Sequence, residues 1–183
     1  MHSSSTIDMS DDISNEAISS WNGVVQLWEE HVKARYNLHQ NHRAALPALV
    51  RRALGSAPNH PAVAFEMMAM LTPEEKKACL PELLGLCSSG RYAGRARDMI
   101  HSMPHDWLIE NIEAASESTL SLNDFLDWVN ILQVYDQIDH GLGRRLAERM
   151  LSHSDPELRK WGAEFLENEK DKGAPGSGAE SSV

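Results

Sequence analysis

Leu46-Pro47-Ala48-Leu49-Val50 recurs 34 positions later as Leu80-Pro81-Glu82-Leu83-Leu84. In both places a loop of small and polar residues follows, and then a second amphipathic stretch. A period of this length is the mark of stacked helical hairpins, in which a pair of helices buries its apolar face only against the next pair.

Working outward from the two copies, apolar residues keep recurring at helical spacing. Upstream, Val24, Leu27, Trp28, His31 and Val32 lie on one stripe of a helix predicted to start at Asn15 or Ser19 and end by Asn37. Ala45, Leu46, Leu49, Val50, Ala53 and Leu54 mark a second helix, with Gly55 as its stop. Between the copies, His60-Pro61 opens a helix with Val63, Met67, Met70 and Leu71 inward. Thr72-Pro73-Glu74-Glu75 then carries a complete start signal: Thr caps, Pro sits where its missing N–H costs nothing, and Glu75 closes a capping box. Downstream come helices through Leu83, Leu84 and Leu86, and through Ala96, Met99 and Ile100. Asp106 is placed to cap a helix carrying Leu108, Ile109, Ile112 and Ala115, and Ser121 to Asp124 begins a long apolar one. A final pair covers 142–151 and 156–166, divided by Ser152-His153-Ser154-Asp155. No alternating apolar run bounded by turn residues suggests a strand. The expected fold is all-α: stacked antiparallel helix hairpins forming a short α-solenoid, with an irregular helical bundle as the alternative. One helical domain is expected over 14–167, flanked by tails over 1–13 and 168–183 too poor in apolar residues to offset their ordering entropy.

Asp155-Pro156-Glu157-Leu158-Arg159, followed by Ala163 and Leu166, resembles the second helix of a HEAT-type repeat, whose pattern is an Asp, an apolar–Arg pair, a small residue and a Leu. Arg97, after Ala96 and before Ile100, fits the same pair. The resemblance covers most of 44–166, and Trp107 to Ile138 departs from it by lacking the apolar–Arg pair. What it implies is a HEAT-like scaffold that binds macromolecules along a concave face or exposed ridges; it implies no reaction. It also implies that Arg97 and Arg159 pair with neighbouring acids at the edge of the core.

Composition narrows the function. No stretch approaches the roughly 20 apolar residues that cross a bilayer, and the N-terminal sequence has no basic flank before an apolar run, so a cytoplasmic protein without membrane contact is expected. Cys79 and Cys87 lie about 12 Å apart along one helical region, too far for a disulfide, and read as small buried hydrophobes. The net charge of −10 opposes a general nucleic-acid surface, since phosphate binding depends on clustered Lys and Arg. The alternative is a HEAT-like nucleic-acid-binding protein using an Arg ridge made by Arg51 and Arg52, Arg91, Arg95 and Arg97, and Arg144, Arg145 and Arg149.

No catalytic constellation emerges, and the chain is not expected to be an enzyme. His39/His42 and His101/His105 have ligand-like spacing, yet no cysteine pair or Glu-containing zinc helix accompanies them, so no metal or other cofactor is expected. Ser152-His153-Ser154-Asp155 fills a short turn, where Asp155 is better employed as a helix cap than in a triad. Ser89 to Arg95 lacks the Lys-Ser/Thr of a phosphate loop.

The informative feature is a run of acids. Between Asp98 and Gly143 there is no Lys or Arg, while Asp98, Asp106, Glu110, Glu113, Glu117, Asp124, Asp127, Asp136 and Asp139 fall there. On the helix through 122–138, Leu122, Phe125, Leu126, Val129 and Leu132 form one apolar stripe, and Trp128, Ile131, Tyr135 and Ile138 a second. A helix with two such stripes either packs between neighbours or shows one to a partner. In the second case Trp128 and Tyr135 are binding anchors ringed by Asp124, Asp127, Asp136 and Asp139, with Glu110 and Glu113 beside them. The expected function is a non-catalytic protein–protein interaction module for a basic protein partner. By charge and fold it resembles immunity-type inhibitors that cover basic toxin sites, and an adaptor or assembly subunit fits as well.

Overall fold

The computed structural model describes residues 14–56, 60–88, 90–122 and 124–173, with side chains described through Asn168. The tail read over 1–13 lies outside the described residues, as does Ser89 of the basic loop. The chain is all-helical: α1 (Asn15–His42), a 3-10 turn (Arg43–Ala45), α2 (Leu46–Leu54), α3 (His60–Met68), α4 (Pro73–Lys77), α5 (Leu80–Leu86), α6 (Ala93–His101), α7 (His105–Leu120), α8 (Phe125–Ile138), α9 (His140–Leu151) and α10 (Pro156–Gly173). Among the described residues there is no strand. No helix among them is long and apolar enough to cross a membrane.

Internal contacts divide the chain into two units, residues 1–46 and 47–183. In the first, Ser14 caps α1 by accepting from the Ala17 N–H at 3.2 Å. The helix then runs five residues past the expected end at Asn37, because no Gly or Pro interrupts it between Gly23 and Pro47. His39 and His42 in its last turn suit the negative end of the helix dipole. None of its residues is buried.

The second unit holds the core. Here α5 packs on α6 and α7, α7 on α8, α8 on α9, and α10 on both α9 and α8. Together with side-chain bonds from α9 to α7 and from α6 to α8, these pairings place α5, α7 and α9 in one row and α6, α8 and α10 in another. Side-chain bonds tie successive hairpins at a nearly constant sequence separation. Arg51 of α2 donates to Glu82 of α5, 31 positions on. Arg97 of α6 donates to Asn130 and Gln133 of α8, 33 and 36 positions on. Arg145 and Arg149 of α9 reach back 32 positions to Glu113 and Glu117 of α7. These separations, from 31 to 36 positions, lie near the 34 positions between the two Leu-Pro motifs.

The helix starts follow local chemistry. Thr72 and Glu75 form the expected capping box on α4. Asp155 accepts from the Glu157 N–H at 2.8 Å ahead of α10, as expected of a cap. Asp106 does not cap: α7 begins one residue earlier, with Pro104 at the cap position and Asp106 in the first turn. Arg97 and Arg159 also differ from the HEAT-like expectation. Arg97 meets amide side chains, and Arg159 donates to the carbonyls of His153 and Ser154 at 2.8 Å, because neutral oxygens occupy the positions expected to hold acids. The C-terminal tail expected over 168–183 lies outside the described residues from 174 onward. Helix α10 continues to Gly173, since Glu-Asn-Glu-Lys-Asp-Lys contains no helix breaker.

Candidate functional site

Helix α7 carries Asp106, Glu110, Glu113 and Glu117 at spacings of four, three and four, which places them along one stripe. Glu113 and Glu117 face α9, where Arg145 bonds Glu113 at 2.8 Å and Arg149 bonds Glu117 at 2.7 Å. The hydrogen bond that Arg145 donates to Glu113 raises the Arg145 pKa above its ordinary value. Farther up the stripe, Asp106 and Glu110 are exposed, and Asp106 lies 3.6 Å from His105.

A groove of about 770 Å³ runs beside the paired half of this stripe, rimmed by Glu113, Glu117, Arg145 and Arg149, with Trp128 of α8 and His153 at its base. The Trp128 indole N–H donates to the Leu120 carbonyl at 3.2 Å, which fixes the ring. Arg149 lies over the ring at 5.5 Å and His153 meets it edge-on at 5.1 Å.

The second stripe of α8 is core. Trp128 is 5% exposed and Tyr135 1% exposed, so neither is a surface anchor. Tyr135 shares a 2.6 Å hydrogen bond with Ser116 and donates to the Ile112 carbonyl at 3.3 Å. Burial pushes its pKa up to about 12, against the lowering effect of the Ser116 bond. The reason is position: α8 packs against α7, α9 and α10, which cover the Trp128–Tyr135 stripe, whereas Leu122 and Leu126 of the other stripe are exposed. Ile131 and Ile138 of the same stripe are buried with it.

The four aspartates expected to ring those anchors do local work instead. Asp124 caps α8 by accepting from the Leu126 N–H, and Asp139 caps α9 by accepting from the Leu142 N–H. Asp127 bonds the Ser88 hydroxyl, and Asp136 pairs with His140 at 2.6 Å. Of the expected set, Glu110 and Glu113 are the members on the α7 stripe. Sequence reading missed Arg145 and Arg149 as partners of Glu113 and Glu117. The signal was present, since an acid pair spaced by four and an arginine pair spaced by four stand 32 positions apart.

Several arginines of the alternative ridge contact neighbouring side chains, although Arg51, Arg52, Arg91 and Arg95 all remain exposed. Arg51 is bound to Glu82 and Arg97 to Asn130, while Arg95 lies over Phe65 and Arg91 over Tyr92. His101 contacts Gln137 at 3.1 Å and His105 the Ile138 carbonyl at 2.9 Å, so this histidine pair bridges to α8. Among the described residues no group of three His, Cys, Asp or Glu is arranged to hold a metal. Cys79 and Cys87 are free and buried, and burial pushes each thiol up to about 11.

Fold and site together define a class: an all-helical hairpin protein with an acidic helix face beside a groove based on tryptophan. No protein-family model, curated protein or solved structure matches the chain.

Proposed function

We propose that the chain is a non-catalytic protein-interaction module, a HEAT-like stack of hairpins that receives a basic protein partner on the α7 stripe and the groove beside it. The observation that carries this reading is the alignment of Asp106, Glu110, Glu113 and Glu117 on one helix face, within a segment free of Lys and Arg. Such a face draws a cationic partner and speeds its encounter. The bonds from Arg145 and Arg149 do not block it. Exposed pairs of this kind are worth about 0–1 kcal/mol, so incoming Lys or Arg side chains exchange with them at little cost. An inhibitor of a basic toxin, an adaptor and an assembly subunit all use such a surface. Cys79 and Cys87, as free thiols, fit a cytoplasmic setting.

The test uses the exposed acids rather than the aspartates of α8 and α9, whose replacement would remove helix caps. Asp106→Lys with Glu110→Lys is expected to slow association with a basic partner recovered by affinity capture, and to flatten its dependence on salt. An unchanged association rate in this variant, or failure of an oligo-arginine peptide to bind the native protein at micromolar concentration in low salt, would reject the reading.

A further inference from the structure

Helix α1 places large apolar side chains in water along nearly its whole length: Ile18, Trp21, Val24, Val25, Leu27, Trp28, Val32 and Tyr36 are all exposed, Trp21 by 67% and Trp28 by 61%. Ile18, Trp21, Val25, Trp28 and Val32 follow one another at alternating intervals of three and four, and Arg35 and His39 continue the series. That is the seam of a two-stranded coiled coil. We infer that α1 pairs with α1 of a second copy of this chain, and that the two helices run antiparallel.

Residue size decides the direction. In a parallel pair each seam residue meets its own copy. Trp21 would face Trp21 and Trp28 would face Trp28, while the intervening Val25 and Val32 layers would be too thin to close at the spacing those rings impose. Arg35 would face Arg35, setting like charges together. The antiparallel pair with its two-fold axis between Gln26 and Leu27 removes each conflict. Trp21 then packs beside the partner's Val32 and Trp28 beside the partner's Val25, so every inner layer combines one large and one small side chain. Ile18 at each end lies under the stem of the partner's Arg35, whose charged tip reaches solvent. Opposed helix dipoles favour the same arrangement.

The area suffices. The exposed apolar surface of the seam residues, with Val24 and Tyr36 at its edges, amounts to about 700 Å² per chain, taking a large aromatic as about 250 Å². Specific stable interfaces take roughly 600–1,000 Å² from each partner, a range that includes this area. A lipid surface is the weaker occupant. Interfacial membrane helices carry Lys and Arg on the polar face, whereas α1 sets Glu16, Glu29 and Glu30 against Lys33 and Arg35. The inference is independent of the basic-partner reading, because it uses no residue of the α7 stripe.

Sedimentation equilibrium of the full chain at tens of micromolar is the direct test, one chain being 20.4 kDa. The expected mass is that of two chains. Trp21→Glu with Trp28→Glu is expected to weaken the dimer on the order of 100-fold or more, since buried tryptophans dominate interface energy. Leu27→Glu, outside the seam, should leave the dimer intact. Spin labels on Glu16→Cys, with Cys79 and Cys87 too buried to be labelled, should lie about 30 Å or more apart, reflecting some 21 residues of axial offset at 1.5 Å each. A native monomer, a dimer that survives the double Trp replacement, equal disruption by Leu27→Glu, or labels side by side would overturn the proposal. So would a monomer whose α1 binds phosphatidylserine vesicles.

Discussion

Helices α1 and α8 carry the same kind of sequence pattern and meet opposite fates. Each is an amphipathic stretch with aromatic residues at helical spacing, Trp21 and Trp28 in one, Trp128 and Tyr135 in the other. Read alone, the α1 stripe looks like one face of a core helix and the second α8 stripe like a docking site. The structure reverses them: the Trp128–Tyr135 stripe of α8 is buried in a helix packed against α7, α9 and α10, whereas no residue of α1 is buried. Periodicity states that a face is apolar. What covers that face is decided by contacts distant in sequence.

The sharpest way to break this contrast is to truncate one aromatic in each helix. Tyr135→Ala opens a cavity and removes the Tyr135 hydrogen bonds to Ser116 and the Ile112 carbonyl, and is expected to destabilise the protein by about 3–5 kcal/mol in urea unfolding. Trp28→Ala removes a side chain that is 61% exposed, and should shift the unfolding of the second unit by no more than about 0.5 kcal/mol. Comparable losses from the two replacements would show that α1 and α8 are not differently placed.

A second contrast is readable as alkaline instability. The neutral Tyr135 phenol is favoured in the fold, with its pKa raised from 10.0 to about 12. Its contribution is therefore present in full below pH 10 and is lost as the pH rises through 12. A shift of this size corresponds to about 2–3 kcal/mol. The buried thiols of Cys79 and Cys87, raised from 9.0 to about 11, add to the loss in the same direction from pH 9 upward. Urea midpoints measured from pH 8 to 12 should fall steadily, and less steeply in Tyr135→Phe.

Much of the architecture was legible because it is set locally. Thr72 and Glu75 announce a helix within four residues, Asp155 does the same, and the repeated Leu-Pro motif announces hairpins a fixed distance apart. The candidate site was less legible because its residues act across hairpins. Asp124 and Asp139 looked like surface charge and are helix caps, a role fixed by where the preceding helix stops. Glu113 and Glu117 belong to the expected acidic surface, but the arginines that answer them lie one repeat away.

Glycines give a smaller contrast between the two units. A Cβ on Gly162 would sit 2.7 Å from the Ala147 carbonyl oxygen and 2.9 Å from Met150 Cβ, both part of α9, so Gly162 is what lets α10 approach α9 closely. Gly162→Ala is expected to cost about 1–3 kcal/mol by overpacking. Gly23 in α1 has nothing within 4 Å of the same position. Gly23→Ala should therefore stabilise α1 by about 0.5–1 kcal/mol, seen as higher helicity on heating by circular dichroism.

The smallest expected effect bears most on function. Glu117 and Arg149 meet at 2.7 Å with both side chains about half exposed. Glu117→Gln should cost no more than about 1 kcal/mol of stability, and the difference should shrink in 1 M salt, where screening acts over about 3 Å. If the α7 stripe receives a cationic partner, the same replacement slows association far more visibly than it alters folding, because it removes one of the stripe's charges while leaving the scaffold in place. A loss of several kcal/mol in Glu117→Gln would instead make the pair a structural bond of the α7–α9 contact. An incoming Arg or Lys could not displace such a bond cheaply, and the paired half of the stripe would then be closed to a partner.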